Sequence, residues 1–224
     1  MADVTIYWLS GSPYSWRTTL TCVVKGIAWE GKRLAASKES LKSPDYLCLN
    51  PRGKVPTVVH GDHVVYESLA TMTYLEAAFP DRPIFGRTPI ETGTIWRRLS
   101  ELTLYLGEHA LTKVVRPIYF GEAATPEGAE RVRAAMVGVH RELALLEASL
   151  QHAPFAAGDA ISAADIAVFP FLASLDRAAQ KPVAADAGVN LLPWTGSYPR
   201  IADWFARIEA LPGYDATYPP HWRE

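Results

Sequence analysis

Strand signals in this chain stop at about residue 79, and that asymmetry narrows the folds open to it more than any other feature. Residues 4–9 form a short run rich in β-branched and aromatic side chains. Ser10-Gly11-Ser12-Pro13 follows, with Ser12 suited to a helix N-cap and Pro13 to the first helical position. Leu20, Val23, Val24 and Ile27 then recur at helical spacing, and Gly26 is the stop. Residues 29–35 read as a second strand, and the polar stretch 37–50 as a short helix and loop. Residues 56–60 and 63–66 are apolar runs joined across Gly61-Asp62, a hairpin signal. Ser68 is placed to cap a helix whose buried face is Leu69, Met72, Leu75 and Phe79.

Beyond Phe79, Pro80, Pro83, Gly86 and Pro89 mark a linker over residues 81–90, and helical periodicity takes over. Val132, Met136, Val139, Leu143, Leu146 and Leu150 step by threes and fours, a continuous apolar stripe that belongs in a core. Ser162 and Asp165 predict a capping box, flanked by Ile161 and Ile166 as a hydrophobic staple. Another helix is expected over residues 199–211, with an irregular tail through Trp222. The division predicted is 1–80, a linker at 81–90, and an all-helical domain over 91–224.

Composition excludes several classes. A hydrophobic fraction of 49% supplies a core, and a net charge of −2 gives no electrostatic reason to bind nucleic acid or an anionic membrane. No apolar run approaches the roughly 18 residues that span a bilayer. The N-terminus lacks the basic start and apolar stretch of a signal peptide, so the cytoplasm is the expected compartment. Cys22 and Cys48 are too few for a disulfide framework, and their spacing suits no metal site. Cys22 lies in an apolar helical run and reads as a buried structural thiol.

Ser12-Pro13-Tyr14-Ser15 resembles the Cys-Pro-Tyr-Cys motif of glutaredoxins with both thiols replaced by hydroxyls. A thiol–disulfide exchanger needs its own thiolate at this place, and neither Cys22 nor Cys48 is there. A hydroxyl at a helix start can instead donate to the sulfur of another molecule. The order βαβ-α-ββα, a thioredoxin-like α/β domain followed by an all-α domain, resembles the soluble glutathione transferases along essentially the whole chain. Four pieces carry the resemblance: residues 12–17 (Ser-Pro-Tyr-Ser-Trp-Arg), Gly53-Lys54-Val55-Pro56, Glu67-Ser68, and the Ser162–Asp165 capping box. Within that family Ser15-Trp16-Arg17, followed by Lys25-Gly26-Ile27, looks most like the zeta class. The chain departs from that class at Pro13-Tyr14, where zeta enzymes carry Ser-Cys.

The resemblance implies a glutathione-binding site and assigns its parts. Ser12 stands where serine-type members place the hydroxyl that stabilises the thiolate; read without the family, it caps a helix. Tyr7, beside Trp8, looks like the catalytic tyrosine of mu-class enzymes, and packing is the competing role; Ser15 is a lesser candidate. Val55, before a cis Pro56, would offer its backbone to the cysteinyl part of glutathione. Lys54 would contact a carboxylate or lie free in an exposed loop. Glu67 would pair with the γ-glutamyl ammonium, while Ser68 and the helix N-terminus receive the carboxylate. Lys38 and Lys42 are weaker candidates for the glycine carboxylate.

The implied activity is attack of glutathione thiolate on a small hydrophobic electrophile, held by the helical domain among such residues as Trp96, Tyr105, His109, Tyr119 and Phe120. Most of those aromatics are expected in the core. Two alternatives stand beside it: a glutathione-dependent cis-trans isomerase of the maleylacetoacetate type, for which Arg17 and Arg116 could meet a dicarboxylate, and a non-catalytic binding protein on the same fold. The resemblance also implies a homodimer.

Overall fold

β1 (Val4–Trp8), β2 (Trp29–Arg33), β3 (Thr57–His60) and β4 (His63–Tyr66) form a four-stranded sheet in the order β2-β1-β3-β4, in a computed structural model that describes residues 3–223. β1 and β2 run parallel, which requires a crossover, and α1 (Pro13–Lys25) supplies it. β3 pairs antiparallel with both β1 and β4. His60 faces His63, so Gly61-Asp62 is the two-residue turn, with Gly61 at φ +58.

Val4 and Ile6 on β1 and Val58 on β3 bury against Cys22 of α1 and Leu75 of α4 (Ser68–Ala78). α1 and α4 are joined by a Thr18–Thr71 hydroxyl hydrogen bond of 2.7 Å and by Lys25. That buried ammonium donates to Glu76 at 2.5 Å and to the Arg82 carbonyl at 2.7 Å, while Glu76 also accepts the Ile84 amide at 3.1 Å. Residues 37–50 hold two short helices, α2 (Lys38–Leu41) and α3 (Pro44–Leu49), where the sequence reading expects one. Ser43 and Pro44 start the second, Ser43 accepting the Tyr46 amide as N-cap.

Two compact units result, one of residues up to Ile84 together with those from Leu211 onward, the other of Phe85–Ala210. The tail, counted with the helical domain in the sequence reading, thus packs in the first unit. Its aromatic residues explain why: Tyr214, Tyr218 and Trp222 surround Trp16 of α1, which is buried.

The second unit is helical. α5 (Pro89–Glu101) starts at a Thr88–Glu91 capping box and continues as helix to Tyr119 through two π-helical stretches, Leu102–Gly107 and Leu111–Val115. Thr103 bonds the Leu99 carbonyl with its hydroxyl at 2.7 Å, and a side chain competing for helical carbonyls is one cause of such widening. Gly107 permits close packing, since a Cβ there would lie 2.6 Å from the Phe171 ring. α6 (Pro126–Ser149) carries the predicted stripe, which ends at its C-cap Leu150, and the six stripe residues are buried. α7 (Ala163–Ala179) begins at the predicted capping box. Asp165, fully buried, accepts from Ser162 N–H, Ala156 N–H and the Trp204 indole of α8 (Pro199–Glu209) at 3.0, 2.7 and 2.8 Å. Among the described residues, no helix is long and apolar enough to cross a membrane.

Candidate active site

The register of the sheet decides which loops meet. Tyr7 pairs with Thr57, and Thr57 pairs with Tyr66. Extending each ladder by one residue sets Pro56 beside Trp8 and beside Glu67. The end of β1 leading to Ser12, the Val55-Pro56 entry to β3 and the Glu67-Ser68 exit from β4 therefore open at the same end of the sheet.

Ser12 is the N-cap of α1, with its Oγ accepting the Ser15 amide at 3.3 Å. A hydroxyl used this way keeps its proton to donate, and the helix start adds partial positive charge. Ser15 is buried, and its Oγ accepts the Leu9 amide at 3.3 Å. It ties the helix to the end of β1. Tyr7 packs against Tyr46, ring centres 5.7 Å apart, with the Lys32 ammonium over its ring at 5.4 Å.

The Val55-Pro56 peptide is cis. Its approach is held from behind by residues the sequence did not single out. Tyr46 Oη donates to the Lys54 carbonyl at 2.6 Å and Asn50 Nδ2 to the same oxygen at 2.8 Å. Burial pushes the Tyr46 phenol up from its ordinary pKa, which keeps the donor protonated. The Lys54 residue is exposed. Lys42 donates to the Arg52 carbonyl at 2.7 Å, crossing Gly53, and Lys38 is exposed at the start of α2.

Glu67 and Ser68 depart from the expected cap. Glu67 occupies the N-cap position with φ +70, the one non-glycine residue in the left-handed region among those described, and Ser68 is the first residue of α4. The Glu67 side chain is exposed, and its carboxylate lies 3.7 Å from Arg52 Nε. Ser68 Oγ instead accepts from Arg17 Nη1 at 3.1 Å, both residues buried. This corrects the reading of Arg17 as a cation for a second substrate: its guanidinium stands behind Ser68. The signal was in the motif, but its partner lies far along the sequence.

In the helical unit Trp96, Tyr105, Tyr119 and Phe120 are substantially exposed, and the expectation of core aromatics fails there. His109 is half-buried beside a cavity of about 660 Å³ that is also lined by Lys113, Pro117, Val137 and Gly138. Burial, with Lys113 nearby, holds its imidazole below the ordinary histidine value, and its Nε2 has no hydrogen-bond partner among the described residues. Among the described residues, no three His, Cys, Asp or Glu gather as metal ligands.

The family descriptions that match are the glutathione S-transferase N-terminal domain, over residues 11–78, and the C-terminal domain, over residues 129–207. The chain belongs to the glutathione S-transferase family. It is 31% identical to glutathione S-transferase A of Pleuronectes platessa over 232 aligned residues, covering 99% of this chain and 94% of the relative. A crystal structure of a glutathione S-transferase from the Antarctic clam Laternula elliptica superposes with a TM-score of 0.78 at 30% identity, covering 99% of this chain and 94% of that one. A probable maleylacetoacetate isomerase of Caenorhabditis elegans is 32% identical over 76% of this chain and 77% of its own length.

Proposed function

We propose that this glutathione S-transferase family member joins glutathione to small hydrophobic electrophiles, with Ser12 stabilising the thiolate. The observation that carries the reading is the meeting, at one end of the sheet, of a hydroxyl at a helix start, a cis Val55-Pro56 and an outward acid at Glu67. These match the groups of glutathione in turn. Val55 offers a backbone N–H and C=O to the cysteinyl peptide. Glu67 pairs with the glutamyl ammonium. Ser68, with Arg17 behind it, and the first amides of α4 receive the glutamyl carboxylate. Lys54 is in reach of a second carboxylate.

Free thiols ionise near pH 8.5, so most of the sulfur is protonated at neutral pH. The Ser12 hydroxyl and the α1 N-terminus together lower that value by about one to two units, about 1.4 to 2.7 kcal/mol. When bound, glutathione supplies the nucleophilic sulfur. The protein's share is this activation and the holding of two reactants together. We assign the electrophile to the helical unit, whose exposed Tyr105, Tyr119 and Phe120 offer apolar surface. A cytoplasmic homodimer of the serine type, nearest the zeta class in its motif, completes the proposal.

The test is spectral titration of the bound glutathione thiol in wild type, Ser12→Ala and Tyr7→Phe. Ser12→Ala is expected to raise the thiol pKa by about one unit or more, and Tyr7→Phe to leave it unchanged. The reverse pattern would overturn the assignment. The similarity to a probable maleylacetoacetate isomerase supports a second reading, cis-trans isomerisation of a maleyl-type acid. Turnover of a maleyl diketo acid beside an aryl chloride separates the two activities. Failure of the protein to bind immobilised glutathione would remove both.

A further inference from the structure

The last residues of the chain are irregular in sequence but fixed in place. Thr217 Oγ1 accepts the Trp16 indole N–H at 2.9 Å. The rings of Tyr214, Tyr218 and Trp222 are centred 6.2, 5.9 and 5.5 Å from Trp16, which is only 3% exposed. Arg223 closes the outer edge, bonded to Asp215 at 2.8 Å with its guanidinium over the Tyr218 ring. These residues are tied to the first helix of the glutathione unit.

Their landing point is the turn that presents Ser12. Residues 9–12 form a turn closed by Ser12 N–H to the Leu9 carbonyl at 3.2 Å. Gly11 takes φ +78 at its third position, as a type II turn requires. On the inner side, Ser15 Oγ holds the Leu9 amide. On the outer side, Ser10 Oγ and His221 Nδ1 share a hydrogen bond of 2.6 Å. A Cβ on Gly11 would come within 2.8 Å of His221 Cε1 and 3.3 Å of Trp222 Nε1. Turn and tail are thus fitted to each other down to the backbone.

We infer that His221 is a positioning residue for Ser12: through Ser10 it clamps the outer corner of the turn and keeps the Ser12 hydroxyl aimed at the sulfur. The inference rests on the reading of Ser12 as the thiol donor. A donor stabilises charge only when held in place beforehand. Ser15 restrains one limb of the turn, and His221 restrains the corner that Ser15 does not reach.

The experiment titrates the thiol of bound glutathione in Ser10→Ala, His221→Leu and His221→Asn, with KM for glutathione measured alongside. Leucine keeps bulk against Gly11 and loses the bond; asparagine keeps a polar atom near the place of Nδ1. His221→Leu and Ser10→Ala should each cut the thiolate fraction below its pKa by about threefold. His221→Asn should recover most of it, and the Ser10→Ala/His221→Leu double variant should be no worse than either single one. KM for glutathione should stay within about twofold, because Glu67 and Ser68 are untouched. An unchanged thiol pKa in His221→Leu, alongside a raised one in Ser12→Ala, would overturn the inference. So would additive losses in the double variant, or no recovery with asparagine. An unchanged value in Ser12→Ala would instead overturn the thiol-donor assignment itself.

Discussion

Cys22 and Cys48 show how far surroundings set the behaviour of one residue type. Cys22 is buried in the sheet–helix core, and loss of water pushes its thiol up to about 12, while Cys48 is exposed on α3. A thiol reagent at pH 8 is therefore expected to modify one cysteine per folded chain rapidly and the second only in denaturant. Two rapid reactions without denaturant would contradict this packing. The burial of Cys22 was legible, because it sits on an apolar helical face. Ser12, Val55-Pro56 and Glu67-Ser68 stand as short pieces in the sequence, and the sheet register brings them to one end. Their supports were not legible: Arg17 behind Ser68, and Tyr46 with Asn50 behind Lys54, are contacts that no local pattern announces. Ser68 was read as a cap because serine favours that place. The left-handed backbone of Glu67 moved the cap one residue earlier.

Among elements, α1 and α4 depend on one buried charge. The Lys25 side chain is fully enclosed, and its partner Glu76 is 18% exposed. Glu76→Ala would leave that ammonium with the Arg82 carbonyl alone and would orphan the Ile84 amide. A loss of about 3 kcal/mol is expected, read as a lower urea midpoint at unchanged slope. Glu76→Gln, which keeps the acceptor, should lose less. A midpoint for Glu76→Ala equal to wild type would show that Lys25 finds another partner. Elements themselves were read well where the signal is local. Gly61-Asp62 fixed the hairpin register, and the three-four stripe located α6. The π-helical stretches before Tyr119 were not legible, since no local residue pattern separates them from ordinary helix.

For the whole molecule, the order of residues and the order of packing differ. The chain leaves its first unit at Ile84 and returns to it at Leu211. Periodicity could not foresee this, because the tail has none; its message is the aromatic content around Thr217, whose partner Trp16 lies at the other end of the sequence. The consequence is that the first unit should not reach full stability without the residues from Leu211 onward. Trp16→Leu should cost about 2 kcal/mol, as the loss of much of a large buried ring does. Thr217→Val, which removes the hydroxyl acceptor of the buried indole N–H, should cost about 1 kcal/mol. Deleting the segment from Gly213 onward should cost at least as much as Trp16→Leu, since it uncovers the same ring and removes Tyr214, Tyr218 and Trp222 together. Urea unfolding of the three variants decides it. If the deletion leaves the midpoint where Trp16→Leu lowers it, the indole is stabilised by α1 and its neighbours alone. The return of the chain would then add nothing to the stability of the unit it joins.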